Sequence, residues 1–285
     1  MNGDPRRARH LAPLWAVLVV LGGTALLAFK LDPTLWTLLA DRHLRAGRLV
    51  EAELDYQRAL TIDVDHGPAL FGLGWAYWRA GLAEPARERF TRAVEFDPDY
   101  HGGYRGLAAL EAARGETQAA EEKLRVAYTL APDDPGILAD LAGLYADAGY
   151  ADPCVALFDR AISLAPRRAE FSLSKAEACV TLGDLACAAA AVDQASELEL
   201  MEARFAGAID ELRFRITLLE AEGALEAAGG QGGDCAGIRG QLSAAQGHLD
   251  DALAAGLEER IAAVDRRRLE DLRGEVEERC AAAER

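Results

Sequence analysis

The residue types that most often carry out catalysis are few in this sequence, and they stand apart from one another. None of the five histidines falls in a His-Glu-x-x-His or other metal-ligand spacing. The chain also lacks Gly-x-Ser-x-Gly, Cys-x-x-Cys and a glycine-rich loop followed by Lys-Ser or Lys-Thr. Those motifs are typical of acyl transfer, thiol redox chemistry and phosphate binding. We therefore expect no enzymatic activity, no cofactor and no metal site.

One arrangement of histidines and carboxylates keeps an alternative open. His66 and His101 each stand beside aspartates, which are Asp63, Asp65, Asp97 and Asp99. Imidazole and carboxylate groups are both metal ligands. A metal protein or an enzyme that uses these acidic loops is therefore a second class of function for this chain.

Charge and composition exclude several other classes. Apolar residues make up 51% of the chain and charged residues 27%, which is typical of a folded protein. The 31 basic and 47 acidic residues give a net charge of −16. Because proteins bind phosphate backbones mainly through clustered Lys and Arg, we expect no nucleic acid among the partners.

An uncharged apolar run of nineteen residues covers positions 11–29. A helix of that length rises about 28 Å, close to the hydrocarbon thickness of a bilayer, so the run predicts a transmembrane signal anchor. The arginines of segment 1–10 favour a cytoplasmic N-terminus. Residues 31–285 would then lie on the periplasmic side of a bacterial inner membrane. A cleaved signal peptide is the alternative.

Small residues recur with a period of 34 between residues 33 and 202. The fifteenth position favours a residue without a Cβ because the first helix ends there in a left-handed cap. It is held by Gly47, Gly81, Gly115, Gly149 and Gly183. The twenty-seventh position, where two antiparallel helices approach closely, is held by Ala59, Ala93, Ala127, Ala161 and Ala195. The period predicts five helical hairpins at 33–66, 67–100, 101–134, 135–168 and 169–202.

This pattern resembles the tetratricopeptide repeat (TPR) family. The resemblance covers residues 33–202 and implies an all-α solenoid whose concave face binds peptides or partner proteins. The fifth unit departs from the pattern, because Ser172 and Lys175 stand where large apolar residues are expected. It keeps Gly183 and Ala195, and with them the turn and the close helix contact.

The remainder of the chain also reads as helical. An apolar stripe beginning at Phe205 predicts a capping helix over 203–228, since a solenoid needs a helix to cover its last apolar face. A glycine-rich linker follows at 229–234, and a helical region at 235–285. Gly256 separates two apolar stripes there, which predicts a hairpin; one long helix that forms a homodimeric coiled coil is the alternative.

Four of the five cysteines are candidates for disulfides. Cys235 lies 21 residues before Gly256 and Cys280 lies 24 after it, so a hairpin would bring them together. Cys179 and Cys187 lie four residues on either side of Gly183. Cysteines so placed pair in an oxidising compartment. We expect the fifth, at position 154, to be a buried free thiol.

The TPR resemblance also implies which side chains line the concave face. Aromatic and basic residues occupy groove positions in the first three repeats, beside a floor of glycines and alanines that includes Gly72, Gly102 and Gly106. Large aromatics next to small residues form a groove that can admit an apolar helix or extended segment, and arginines can orient a partner's carboxylates. The candidate partner-binding residues are Phe71, Trp75, Trp78, Arg79, Arg105, Arg45 and Ala109.

Together these features predict a membrane-anchored scaffold or assembly adaptor that binds a client protein or peptide in its groove. The alternative is a structural subunit of a larger membrane complex with a permanently filled groove. In that case the aromatic side chains pack inside the array or against the chain's own terminal helices.

Overall fold

The computed structural model describes residues 32–199, 205–227, 235–257 and 259–283. These residues form thirteen α-helices and no strand. The described residues divide into a first unit, which ends at residue 130, and a second unit, which begins at residue 131. The first unit contains α1 (Pro33–Arg45), α2 (Leu49–Ile62), α3 (Gly67–Arg79), α4 (Ala83–Phe96), α5 (His101–Ala113) and α6 (Thr117–Leu130). The second contains α7 (Pro135–Asp147), α8 (Ala151–Leu164), α9 (Ala169–Leu182), α10 (Leu185–Glu199), α11 (Ala206–Ala227), α12 (Cys235–Ala254) and α13 (Glu259–Ala283).

The repeat pattern produces three helical hairpins in the first unit and two in the second. The glycine at each predicted turn has a φ between +73° and +79°, the left-handed conformation that a Cβ would disfavour. Alanines at the twenty-seventh position are fully buried in all five hairpins. Large side chains at the twenty-fourth position, such as Tyr56, Phe90 and Phe158, are at most 1% exposed and fill the space between the helices. The predicted all-α repeat architecture is confirmed.

The predicted fold class is wrong in one element, the transmembrane helix. Within the residues that the structure describes, no helix is both long and apolar enough to cross a membrane. The apolar run at 11–29, from which the anchor was predicted, lies outside the described residues, as does segment 1–10. The predicted location at a bacterial inner membrane stays a prediction.

Helix α11 packs on the last repeat with one face and on the C-terminal helices with another. Ile209 and Ile216 belong to the apolar cluster of α9 and α10. Phe214 and Leu218 belong to the cluster of α12 and α13. The helix therefore caps the repeats, as the stripe from Phe205 predicts, and also attaches the C-terminal pair.

Residues 235–257 and 259–283 form two helices with a turn at Gly256 (φ +104°), not one continuous helix. Their apolar stripes pack on each other and on α11 within the same chain. Leu269, Leu272 and Val276 of the second stripe are buried in this way, whereas Ile261 and Val264 are 44% and 66% exposed. The coiled-coil homodimer finds no support in the structure. The Arg268 guanidinium also pairs with both oxygens of Glu222 on α11, at 2.7 and 2.8 Å.

Two disulfides link helices of the second unit. Cys235 at the start of α12 is bonded to Cys280 near the end of α13, with a Cα–Cα distance of 6.0 Å. Cys179 and Cys187 are bonded across the turn between α9 and α10, with a Cα–Cα distance of 5.8 Å. Cys154 is a buried free thiol in α8, and burial raises its pKa.

Candidate partner-binding site

Three aromatic side chains form a patch on one face of α3. Phe71, Trp75 and Trp78 are spaced i, i+4 and i+7, so the helical period places them on the same side. All three are partly exposed. The rings of Phe71 and Trp75 meet edge to face, with centroids 6.1 Å apart and planes at 89°. We call Phe71, Trp75 and Trp78 the aromatic patch.

The aromatic patch is supported from beneath by the core of the first unit. The ring of Phe90, which is fully buried, lies 6.0 Å from that of Phe71 and 5.9 Å from that of Trp75. Tyr100 adds a second edge-to-face contact with Phe71, at 6.0 Å. Each of these two patch residues thus has one side against the core and one side partly open to solvent. The alternative expectation was that these aromatics pack inside the array. It describes the inner side of each ring, which packs on Phe90 or Tyr100.

Aromatic rings of the same chain fill the space directly above the glycines beside the patch. A Cβ added to Gly72 would lie 2.3 Å from the ring of Tyr56, and one added to Gly106 would lie 2.3 Å from the ring of Phe90. A Cβ on Gly102 would lie 2.6 Å from the Tyr100 ring. The expectation that these glycines form a floor open to a partner is therefore wrong. They are small because an aromatic ring must pass directly above their backbone.

The three predicted arginines make different contacts. The guanidinium of Arg105 lies over the Trp75 ring at 5.6 Å, a cation–π contact that joins α5 to the patch. Arg79 Nη1 donates a hydrogen bond of 2.6 Å to the carbonyl of Leu44 at the C-terminal end of α1. Arg45 Nε donates to the carbonyl of Asp41 at 3.2 Å. The structure thus places Arg105 directly on the patch and uses Arg79 to tie α3 to α1. Ala109 on α5 is partly exposed.

A partly buried polar pair, Asp41 and Tyr56, lies next to Arg45 and was not predicted from the sequence. The Tyr56 hydroxyl donates a 2.5 Å hydrogen bond to Asp41 Oδ1. Burial raises the pKa of the Asp41 carboxyl, against the opposing effects of the Tyr56 hydroxyl and Arg45. Burial also raises the pKa of the Tyr56 phenol, and the nearby Asp41 carboxylate adds to that shift. The pair links α1 to α2 on the side from which Arg45 projects.

The acidic loops do not assemble a metal site among the residues that the structure describes. No group of three or more His, Cys, Asp or Glu side chains lies close enough there to hold an ion. His66 Nδ1 lies 3.6 Å from Asp63 Oδ2, and the His101 ring lies against Tyr100 at 5.4 Å. The metal or enzyme alternative therefore has no assembled site in the described parts of the chain.

Comparison with known proteins agrees with this architecture. Family models described as tetratricopeptide repeat match residues 43–110 and residues 155–198. The tetratricopeptide repeat family is supported. Proteins of this family are generally non-enzymatic scaffolds for protein–protein interaction. No curated protein matches the chain in sequence.

Several solved structures share the fold at low sequence identity. The APC/C hetero-tetramer Cut9–Hcn1 matches with a TM-score of 0.65 and 19% identity over 89% of this chain, which spans 46% of that one. A tetratricopeptide repeat protein from Parabacteroides merdae matches at 0.57 and 18% identity, over 84% of each chain. TTC0263 from Thermus thermophilus matches at 0.55 and 24% identity, over 66% of this chain and 98% of that one. These similarities show the fold.

Proposed function

We propose that this chain is a TPR scaffold that binds a partner protein at the aromatic patch of its first unit. The observation that carries the proposal is the grouping of three partly exposed aromatic rings on one face of α3, with the Arg105 guanidinium over one of them. Tryptophan, tyrosine and arginine dominate the residues that contribute most to protein–protein affinity. Rings held in place by a packed core also lose little conformational freedom on binding.

The chemistry of the site favours a partner segment with apolar side chains and nearby carboxylates. Apolar groups of the partner would lie on the exposed sides of Phe71, Trp75 and Trp78. Carboxylates would approach Arg105, whose guanidinium lies over the Trp75 ring. A helix or an extended segment meets these requirements equally well.

A structural subunit with a permanently filled groove is the second candidate. The contacts of Phe71 and Trp75 with Phe90 and Tyr100 favour it, because a patch that supports the fold can also serve a fixed interface. Partner exchange separates the two functions. A scaffold releases its bound partner to an excess of labelled partner, whereas a permanent subunit keeps it at fixed stoichiometry.

The test of the proposed site is the affinity of the full chain for its co-purifying partner. Trp78→Ala removes a ring of the patch, and we expect a loss of more than about 1 kcal/mol, roughly five-fold in affinity. Tyr150→Ala is the matched control, because Tyr150 is an aromatic residue that is 60% exposed and belongs to the second unit, outside the patch. Thermal unfolding of both variants reports any loss of folding. Equal affinities of the two variants would exclude the patch as the binding site.

A further inference from the structure

The first unit also contains a pocket, which lies on the opposite side of α3 from the aromatic patch. It has a volume of about 240 Å³ and is lined by residues of α2, α3, α4 and the turn after α2. Its residues from α3 are Leu73 and Tyr77, each two positions after Phe71 or Trp75. Two residues turn an α-helix by about 200°, so this pocket and the aromatic patch occupy opposite faces of one helix.

The floor of the pocket is apolar and its rim is basic. Leu60 and Leu73 form the floor, and Val64, which is 55% exposed, stands at the entrance. Arg89 and Arg92 are three residues apart on α4 and both line the wall. A ligand that fits here carries an aliphatic group for the floor and a negative charge for the rim.

The arginines of the rim have hydrogen-bonding capacity left over. Arg89 Nη2 lies 3.5 Å from Glu88 Oε1, and Arg92 Nη2 lies 3.5 Å from Asp65 Oδ1. Both distances exceed the roughly 2.7–2.9 Å of a charge-assisted hydrogen bond. The Nε atom of Arg89 is buried and has no hydrogen-bond partner. Buried donors are nearly always satisfied in folded proteins, so water or an acceptor from a bound partner would complete the hydrogen bonding of this one.

The other polar groups of the pocket are already engaged. The Tyr77 hydroxyl donates a 3.0 Å hydrogen bond to Glu53 Oε1, and the Gln57 amide donates to the same oxygen at 3.0 Å. Glu53 therefore takes its hydrogen bonds from these two groups. Arg89 and Arg92 of α4 are therefore the side chains of the pocket that can donate hydrogen bonds to a bound anion.

The next repeat lacks this chemistry. Counting 34 residues onward, Tyr77 becomes Glu111 and Arg89 becomes Lys123. Glu111 is only 8% exposed, so the chain there has a carboxylate of its own at the position that Tyr77 holds in the pocket. The combination of an apolar floor with a pair of arginines is thus a property of this pair of repeats and not of the repeated pattern.

We propose that the pocket between α2, α3 and α4 is a second docking site, which binds an acidic peptide segment of a partner protein. An aliphatic side chain of the segment packs on Leu60 and Leu73. An adjacent glutamate or aspartate accepts hydrogen bonds from Arg89 and Arg92. Since the aromatic patch lies on the other face of α3, the first unit can hold two segments at once, and this second site stands whether or not the patch binds a partner.

The test uses two peptides and the full chain. The probes are acetyl-Ala-Glu-Leu-Glu-Ala-amide and its isosteric control with both glutamates replaced by glutamine. Methyl resonances of Leu60, Val64 and Leu73 report binding in the pocket, and the Ala109 methyl reports binding beside the patch. We expect the glutamate peptide to shift the pocket methyls and to bind about ten-fold more tightly than the glutamine peptide, since hydrogen bonds to a charged group are the stronger ones.

Two variants complete the design. Arg89→Gln should remove most of the preference for the glutamate peptide, whereas Arg125→Gln should not, because Arg125 lies on α6 with a side chain that is 72% exposed. The two peptides on the unaltered chain decide the question even if Arg89→Gln does not fold. Equal affinities, shifts confined to the Ala109 methyl, or no binding of the glutamate peptide at its solubility limit would each overturn the proposal.

Discussion

Gly106→Ala should destabilise the first unit although alanine is the better helix former. The new Cβ would lie 2.3, 2.4 and 2.5 Å from three ring atoms of Phe90, and the ring must move by about 1 Å to reach ordinary contact. The ring cannot move freely, because a Cβ at Gly74 would also lie 2.4 Å from it and the residue is fully buried. Phe90 is thus held between two glycines.

The loss of stability in Gly106→Ala is the difference between two opposing effects. Overpacking of a dense core costs about 1–3 kcal/mol, and a ring held on both sides belongs in the upper half of that range. Replacing glycine by alanine within a helix returns about 1 kcal/mol. The net loss of stability is therefore about 1–2 kcal/mol. Because Phe90 also supports Phe71 and Trp75, the fluorescence of the aromatic patch should change as well.

Gly143→Ala is the matched control. Gly143 lies within α7, and an added Cβ there would meet no atom within 4 Å. Only the gain in helix propensity remains, so this variant should be stabilised by about 0.5–1 kcal/mol. Native-state hydrogen exchange measures both: amides of α5 should exchange about 5- to 30-fold faster in Gly106→Ala, and amides of α7 more slowly in Gly143→Ala. A Gly106→Ala chain as well protected as the control variant would refute the placement of the Phe90 ring.

Two further predictions concern the disulfides and pH. Loop entropy assigns about 4 kcal/mol to Cys235–Cys280, which closes 45 residues, and about 2.5 kcal/mol to Cys179–Cys187, which closes 8. Denaturant unfolding should therefore show a larger loss for Cys280→Ser than for Cys187→Ser, and free thiols in a non-reduced peptide map would contradict the pairing. The raised pKa of Asp41 gives stability that is present below its unfolded value of 3.8 and is lost as pH rises through the folded value. Asp41→Asn should therefore gain stability relative to the unaltered chain at pH 7 but not at pH 3, and a pH-independent difference would contradict this.

The repeat architecture could be predicted because each of its requirements falls on one residue type at one position. A left-handed turn favours glycine, and a close helix crossing favours alanine, so the period of 34 residues is visible without any structure. Gly149 and Gly183 illustrate this, since their conformations follow from their positions alone.

The open floor predicted at the glycines beside the patch is wrong because the same residue type meets a different requirement there. Gly72 and Gly106 hold the sixth position of their repeats, and each follows a repeat with an aromatic ring at the twenty-fourth position, Tyr56 or Phe90. The ring of one repeat lies above the glycine of the next. The sequence contains this pairing, but it becomes visible only when position 24 of one repeat is compared with position 6 of the next. Aligning the repeats position by position does not reveal it.

The sequence also contains a second apolar face of α11, which the predicted capping role does not require. Phe214, Leu218 and Leu225 are spaced i, i+4 and i+11, which marks a helical face of its own. A capping helix explains only the apolar stripe that begins at Phe205. The stripe that contains Phe214 is needed because α12 and α13 fold back as a hairpin and bury their apolar residues against it.

Photo-crosslinking shows directly whether the partner binds at the aromatic patch. A benzoyl-phenylalanine residue is placed at Trp78 in one full-length chain and at Tyr150, an aromatic residue of the second unit that is 60% exposed, in another, and the yield of crosslinked partner is compared. We predict a high yield from position 78, a low yield from position 150, and a crosslinked partner segment that combines apolar residues with carboxylates. A partner that co-purifies with both chains but crosslinks only from position 150, or equally from both positions, would contradict the proposed site.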